Sequence, residues 1–191
     1  MVVLGIDEVG RGCWAGPLVA GAVVLKRAIP GVKDSKQLTR KAREALDVVI
    51  RRRAVAYGLG WVAPQELDEV GLTAAVSLAY QRALTDITAV YDEIIIDGNY
   101  NFLADMQNAR AVIKADTTVP AVSAASIIAK VARDTYMREQ AARFPVYGFE
   151  NHVGYGTLAH RLALAEHGPC SLHRRSFQPL RLLTDAVNDG N

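Results

Sequence analysis

Four carboxylates in this chain have the type and placement to do chemistry together. Asp7 and Glu8 stand side by side at the end of an apolar run, LGIDEVGRGCWAGP, and a glycine-arginine-glycine turn follows at once. Asp97 ends a run of three isoleucines, and Asp116 closes the stretch ARAVIKAD. One acid at a strand end is ordinarily a turn or cap residue. Three strands that each deliver acid to their carboxyl ends make a different case, because ligands of open α/β sheets gather there. Crowded like charges need a reason to stay ionised, and a divalent cation is the usual one. No histidine or cysteine occupies these positions, so the donors are hard oxygens, which suit Mg²⁺ or Mn²⁺ rather than zinc. Two such ions, about 3.5–4 Å apart, stabilise both the attacking and the leaving oxygen in phosphoryl transfer.

Strand side chains alternate between faces, so Asp7 and Glu8 should point apart. Both serve one site only if the backbone leaves regular strand geometry by Glu8. The turn after them, with Gly10, Gly12 and Gly16, loosely matches a dinucleotide-binding fingerprint. That motif opens a helix, whereas here Pro17 and a second valine-rich strand follow. Two acids would also repel a pyrophosphate, so the dinucleotide reading is set aside.

Further polar residues fall at telling intervals. Ser123, Ser126, Lys130 and Asp134 recur every three or four residues, with Ile127, Ile128, Val131 and Ala132 on the other side. Such a stripe is either a solvated helix face or, beside a metal site, a set of phosphate holders. Ser35 and Lys36, in the DSK triplet, are similar candidates, since hydroxyl and ammonium groups hold backbone phosphates without reading sequence. Tyr155 sits in a loop between Gly154 and Gly156, a placement that core packing explains poorly.

The elements that must position these groups read clearly. Residues 2–6 and 18–25 are strands, and a polar loop leads to a helix capped by Thr39. Residues 54–62 form a third strand whose glycines imply close packing or a bulge. Pro64 opens a short helix, a longer one runs over about 73–84, and EIIIDG and ARAVIKAD are buried strands. The longest helical pattern covers 122–143, another covers 158–167, and a last one covers about 179–187. Hairpin-like strands followed by alternating strands and helices imply an α/β fold, a mixed sheet with helices against it.

At 191 residues, half of them hydrophobic, the chain has material for one compact domain, with its last stretch as a helical appendage. A formal charge of +2 advertises no global basic field, but arginines and lysines cluster at residues 33–43, at Arg51–Arg53 and at 173–175. Those clusters are either solvated helix faces and ends or the rim of a site. Cys13 and Cys170 match no metal-ligand spacing and suit a reducing compartment. No signal peptide or membrane span is expected, and the expected location is cytoplasmic.

Taken together the motifs closely resemble bacterial ribonuclease HII. The resemblance is carried by GIDEVGRG at residues 5–12, DSKQLT at 34–39, IIIDGN at 94–99 and KADTTVPAVSAASIIAKVARD at 114–134. It continues through HVGYGT at 152–157 and HRRSF at 173–177. It implies a ribonuclease H-like mixed sheet flanked by helices, a single catalytic domain over residues 1–191 whose end, roughly 150–191, is a small helical subdomain. The implied activity is endonucleolytic cleavage of the RNA strand of RNA–DNA hybrids, and incision 5′ to ribonucleotides embedded in duplex DNA. Products would carry 3′-hydroxyl and 5′-phosphate ends, with roles in ribonucleotide removal and primer removal.

The resemblance further implies that Asp7, Glu8, Asp97 and Asp116 are the catalytic acids and hold two Mn²⁺ or Mg²⁺ ions, Asp7 being shared. Gly10, Arg11 and Gly12 would contact the ribonucleotide 2′-hydroxyl largely through backbone, the group that distinguishes RNA from DNA. Tyr155 would pack on the following deoxyribose, and Arg174, Arg175 and Ser176 would touch the duplex. Val153 stands where the family often has lysine. Ribonuclease HIII shares the fold and the opening acid pair but uses a glutamate as third acid, so Asp97 favours the HII type. A transposase-like core leaves GRG and Tyr155 unexplained, and a non-catalytic hybrid binder should have lost acids that are all present. A monomer is expected.

Overall fold

A computed structural model describes residues 1–32 and 35–182. Along the chain run β1 (Val3–Val9), β2 (Leu18–Leu25), α1 (Arg40–Arg53), β3 (Ala56–Val62), α2 (Pro64–Val70) and α3 (Leu72–Thr85). Then follow β4 (Glu93–Asp97), β5 (Ala109–Val112), α4 (Ala115–Thr118), α5 (Pro120–Ala141), α6 (Phe149–His152) and α7 (Leu158–His167). The strands form one mixed sheet in the order β3-β2-β1-β4-β5. β1, at its centre, pairs antiparallel with β2 and parallel with β4, and β4 pairs parallel with β5.

Register decides what the sheet offers at its end. The β1–β4 ladder stops at Ile6 opposite Ile96, so the next residues on the two parallel strands are Asp7 and Asp97. On its other side β1 stays paired with β2, Glu8 opposite Ala20 and Val9 opposite Val19. The strand therefore does not lose its geometry at Glu8, contrary to the sequence expectation: the two acids face opposite ways, yet the Glu8 charge still acts on Asp7, so their closeness at the strand end does not need the strand to break. Asp116 also departs from expectation, because it is not on a strand. β5 ends at Val112, Lys114 takes a left-handed conformation with φ of 58°, and Asp116 enters the first turn of α4.

The described chain divides into two compact units. The first comprises Met1–Val9, Val19–Trp61 and Val76–Ala132; the second takes Gly10–Leu18, Val62–Ala75 and the chain from Arg133 onward. The helical end expected over roughly 150–191 is thus part of one of three stretches in the second unit.

In the first unit, strand glycines let helices reach the sheet. A Cβ on Gly5 would stand 2.2 Å from the backbone of Ala121 and Val122, and one on Gly60 would stand 1.8 Å from the Ala79 carbonyl. The α5 backbone is consequently seated on β1, and Val23, Ile50, Ala124, Ile127 and Ile128 close a core beside it. Thr39 caps α1 as expected, its Oγ1 accepting from Ala42 N at 3.2 Å. Arg51, Arg52 and Arg53 fall in the last turn of α1, where cations complement the helix dipole. Arg51 also pairs with Asp47 one turn back.

In the second unit Ala15, Met137, Tyr147, Phe149, Leu164, Leu172 and Leu180 make a separate core. α7 spans 158–167 as expected, with Thr157 as its N-cap and Gly168 beyond it. Residues 178–182 are helical, and the rest of the last expected helix lies outside the described residues.

Candidate active site

Asp7 is the acid around which the first unit is organised. It is 8% exposed and lies on the sheet face that α5 covers. Ser126 of α5 donates a hydrogen bond to its carboxylate, and the Glu8 amide donates to Oδ1 at 2.8 Å. Ser126 in turn shares a 2.9 Å hydrogen bond with the buried Ser35 hydroxyl. Burial pushes the Asp7 carboxyl up to about 8, and the Glu8 and Asp97 charges push the same way, against the Ser126 bond.

The other acids are fixed by different elements. Asp97 ends β4, and its Oδ1 accepts from the Asp116 amide at 3.3 Å. Asp116 is buried in α4, and the Ser123 hydroxyl donates to its carbonyl at 2.7 Å, tying α4 to α5. Lys36 Nζ lies 3.7 Å from Asp116 Oδ2 while its side chain is 82% exposed, so the pair is worth little to stability. Glu8, on the opposite strand face, accepts from the hydroxyl of the fully buried Tyr80 on α3.

The donor set fits a hard divalent cation in kind. Carboxylates from β1, β4 and α4 reach one end of the sheet, where burial and the Glu8 and Asp97 charges raise the Asp7 carboxyl, a cost that added positive charge relieves. Among the described residues no three acidic, histidine or cysteine side chains converge closely enough to ligate one ion as they stand.

The polar stripe on α5 does not form a solvated face. Ser123 and Ser126 are buried on Asp116 and Asp7, whereas Lys130 is half-buried. Asp134, in the second unit, is also buried. The two serines are thus bound to the acids' own framework. Their hydroxyls act there as supports rather than as groups presented outward to phosphate.

In the second unit, the turn that follows Val9 is held from inside by two fully buried arginines. Arg133 donates to the carbonyls of Pro17, Val153 and Ala15, each at 2.9 Å. Arg174 donates to Gly16 through Nε and Nη2 and to Arg11 through Nη1. The guanidinium of Arg174, a residue expected to touch a duplex, is thus engaged by backbone carbonyls of the turn. Ser176 likewise gives its hydroxyl and amide to Asp68, which also accepts from the Arg175 amide and leaves the Arg175 residue exposed.

The turn's glycines separate into two kinds. A Cβ on Gly10, where φ is +93°, would stand 2.4 Å from Arg133 Nε. Gly12 has nothing within 4 Å of where a Cβ would be, so no internal contact requires glycine there. Tyr155 is 41% exposed, and its hydroxyl, beside Cys13, is pushed up to about 12 by burial. Its peptide is clamped by Tyr155 N to His152 O, and by Thr157 N and His160 Nδ1 to Tyr155 O. Val153, at φ of 44°, keeps a left-handed backbone with its carbonyl on Arg133.

Relatives decide what this arrangement is. The family model described as Ribonuclease HII matches residues 4–180. A Ribonuclease HII of Nitrosococcus oceani is 47% identical over 186 residues, covering 96% of this chain and 92% of its own. The chain belongs to the ribonuclease HII family. Among solved structures, ribonuclease H2 from Pyrococcus horikoshii matches with a TM-score of 0.87 at 29% identity, over 98% of this chain and 99% of its own. The RNase HII of a PCNA:RNase HII complex from Archaeoglobus fulgidus matches with a TM-score of 0.80 at 28% identity, over 93% and 96%.

As a member of that family the chain is a metal-dependent nuclease, built on the mixed sheet described above. Among its described residues no helix is long and apolar enough to cross a membrane. Sequence reasoning missed Tyr80 and Arg133. Tyr80 looks like any aromatic in an alanine- and leucine-rich helix, and Arg133 sits within a polar run where arginine is ordinary. Neither carried a local signal, since their partners lie 72 and 116 residues away.

Proposed function

We propose that this chain is an endonuclease that cuts the RNA strand of RNA–DNA hybrids and incises duplex DNA 5′ to an embedded ribonucleotide, leaving 3′-hydroxyl and 5′-phosphate ends. The observation that carries the reading is the buried Asp7, raised to about 8 by burial and by Glu8 and Asp97 at the open end of the β1–β4 ladder. Such a cluster is costly unless cations are its purpose.

Asp7, Glu8, Asp97 and Asp116 would hold Mn²⁺ or Mg²⁺. When bound, these ions supply charge for the attacking and leaving oxygens of a phosphodiester displacement. Ser126 and Ser35 keep the Asp7 carboxylate oriented, and Ser123 keeps α4 seated. The exposed tip of Lys36 and the half-buried Lys130 support contacts to backbone phosphate. In the second unit, the open space at Gly12 supports close approach of a sugar to the Gly10–Gly12 backbone, with Arg11 exposed beside it. The exposed part of the Tyr155 ring supports packing on a deoxyribose, and Arg175 supports a phosphate contact. The biological role that follows is removal of ribonucleotides and RNA primers from DNA, by a monomer in the cytoplasm.

The test is incubation with a DNA duplex carrying one ribonucleotide, with Mn²⁺, Mg²⁺ or EDTA. Incision 5′ to the ribonucleotide in metal alone is expected; no incision in either metal would overturn the reading.

A further inference from the structure

We propose that Tyr80 is a positioning residue for metal binding: its hydroxyl fixes the Glu8 carboxylate, and through Glu8 it sets how tightly the acid cluster takes a divalent cation. The inference rests on reading Glu8 as a ligand.

The geometry follows from the strand. β1 stays regular through Val9, so Glu8 must point to the face opposite Asp7. On that face α3 presents Tyr80, which is fully buried and packs edge-on against Phe102 with ring centroids 5.8 Å apart. Gly60 lets the α3 backbone close onto the sheet at Ala79, one residue away. A buried phenol must find an acceptor, and Tyr80 donates to Glu8 Oε2. A carboxylate so held presents its other oxygen in a set orientation, and loses rotamer freedom before any ion arrives. The core contact and the hydrogen bond are separable. The ring belongs to the core, and only the hydroxyl reaches Glu8.

Y80F removes that hydroxyl and keeps the ring. Mn²⁺ binding to wild type, Y80F, E8Q and the double variant is measured by calorimetry, with melting temperatures in EDTA confirming folded protein. Y80F is expected to weaken Mn²⁺ binding about tenfold or more. It should add nothing once E8Q is present, and the Mn²⁺ dependence of cleavage should shift in parallel.

Unchanged Mn²⁺ binding in Y80F, with E8Q impaired, would overturn the positioning role while leaving Glu8 a ligand. Equal losses for Y80F with and without E8Q would also overturn it, because a tyrosine serving only the core acts independently of Glu8. Normal binding in E8Q itself would instead remove Glu8 from the ligand set, and the proposal with it.

Discussion

Both units bury titratable groups, and they settle the cost in opposite ways. In the first, Asp7 is surrounded by like charges, and its carboxyl is driven up to about 8. In the second, His160 and His173 are driven down to about 4 by burial, yet every one of their ring nitrogens has a partner. Cys170 N donates to His173 Nδ1, so the His173 proton sits on Nε2 and is given to His160 Nε2 at 2.9 Å. His160 then donates from Nδ1 to the Tyr155 carbonyl. His152, stacked on His160, is partnered too, between Gly154 N and Tyr147 O. The histidines form a finished neutral network, whereas the acids, each with partners of its own, crowd carboxyl groups at one end of a sheet. Crowding that raises a carboxyl in this way is a feature of sites that take a ligand.

Breaking the acid side should give the largest effects. D7N and D116N are expected to reduce cleavage of a single-ribonucleotide duplex to background while the circular dichroism spectrum stays native. D7N should also change the pH dependence of stability without metal. Because the folded-state pKa of Asp7 is raised, its contribution is fully present below about pH 4 and is lost as pH rises to about 8. Metal-free wild type should therefore lose its melting-temperature advantage over D7N progressively across that window, through a loss on the order of a few kcal/mol.

The finished side should break as structure. R133A would orphan the carbonyls of Pro17, Val153 and Ala15, and urea titration should show a loss of about 3–5 kcal/mol. R133K should not rescue it, since an ammonium cannot span the guanidinium's fixed fork.

The histidine network has the opposite sign to Asp7. Its folded pKa values are depressed, so its stability is present above about pH 6.5 and lost as pH falls towards 4. The melting temperature of wild type relative to H160L should fall accordingly between pH 7 and 4.

The smallest stability effect should come from G12A, within about 0.5 kcal/mol, because nothing occupies the space around Gly12. Its incision at a single ribonucleotide should nevertheless drop, and unchanged incision would remove the turn from sugar recognition. Y155A should impair single-ribonucleotide substrates more than long hybrids; equal losses would reject a junction role for Tyr155.

Much of this is legible in the amino-acid sequence. The order of strands and helices, the Thr39 cap and the span of α7 all depend on residues within a turn or two of one another. Glycines in the third strand announce close packing, and Gly60 under Ala79 is that packing. Local patterns of this kind are written in neighbouring residues.

Tertiary structure decides the rest, because burial and hydrogen bonding join residues far apart in the chain. Ser126 belongs to an apparent solvated stripe, yet Ser35, 91 residues away, and Asp7 enclose it. Arg174 has the look of a basic surface residue, yet Gly16 and Arg11 take its donors. Asp116 follows a strand-like pattern, yet a left-handed Lys114 turns the chain into α4. Sequence by itself determined which groups carry charge and in what order they arrive. Only the folded chain decided which of those charges are spent on the protein's own backbone and which crowd together at one end of the sheet.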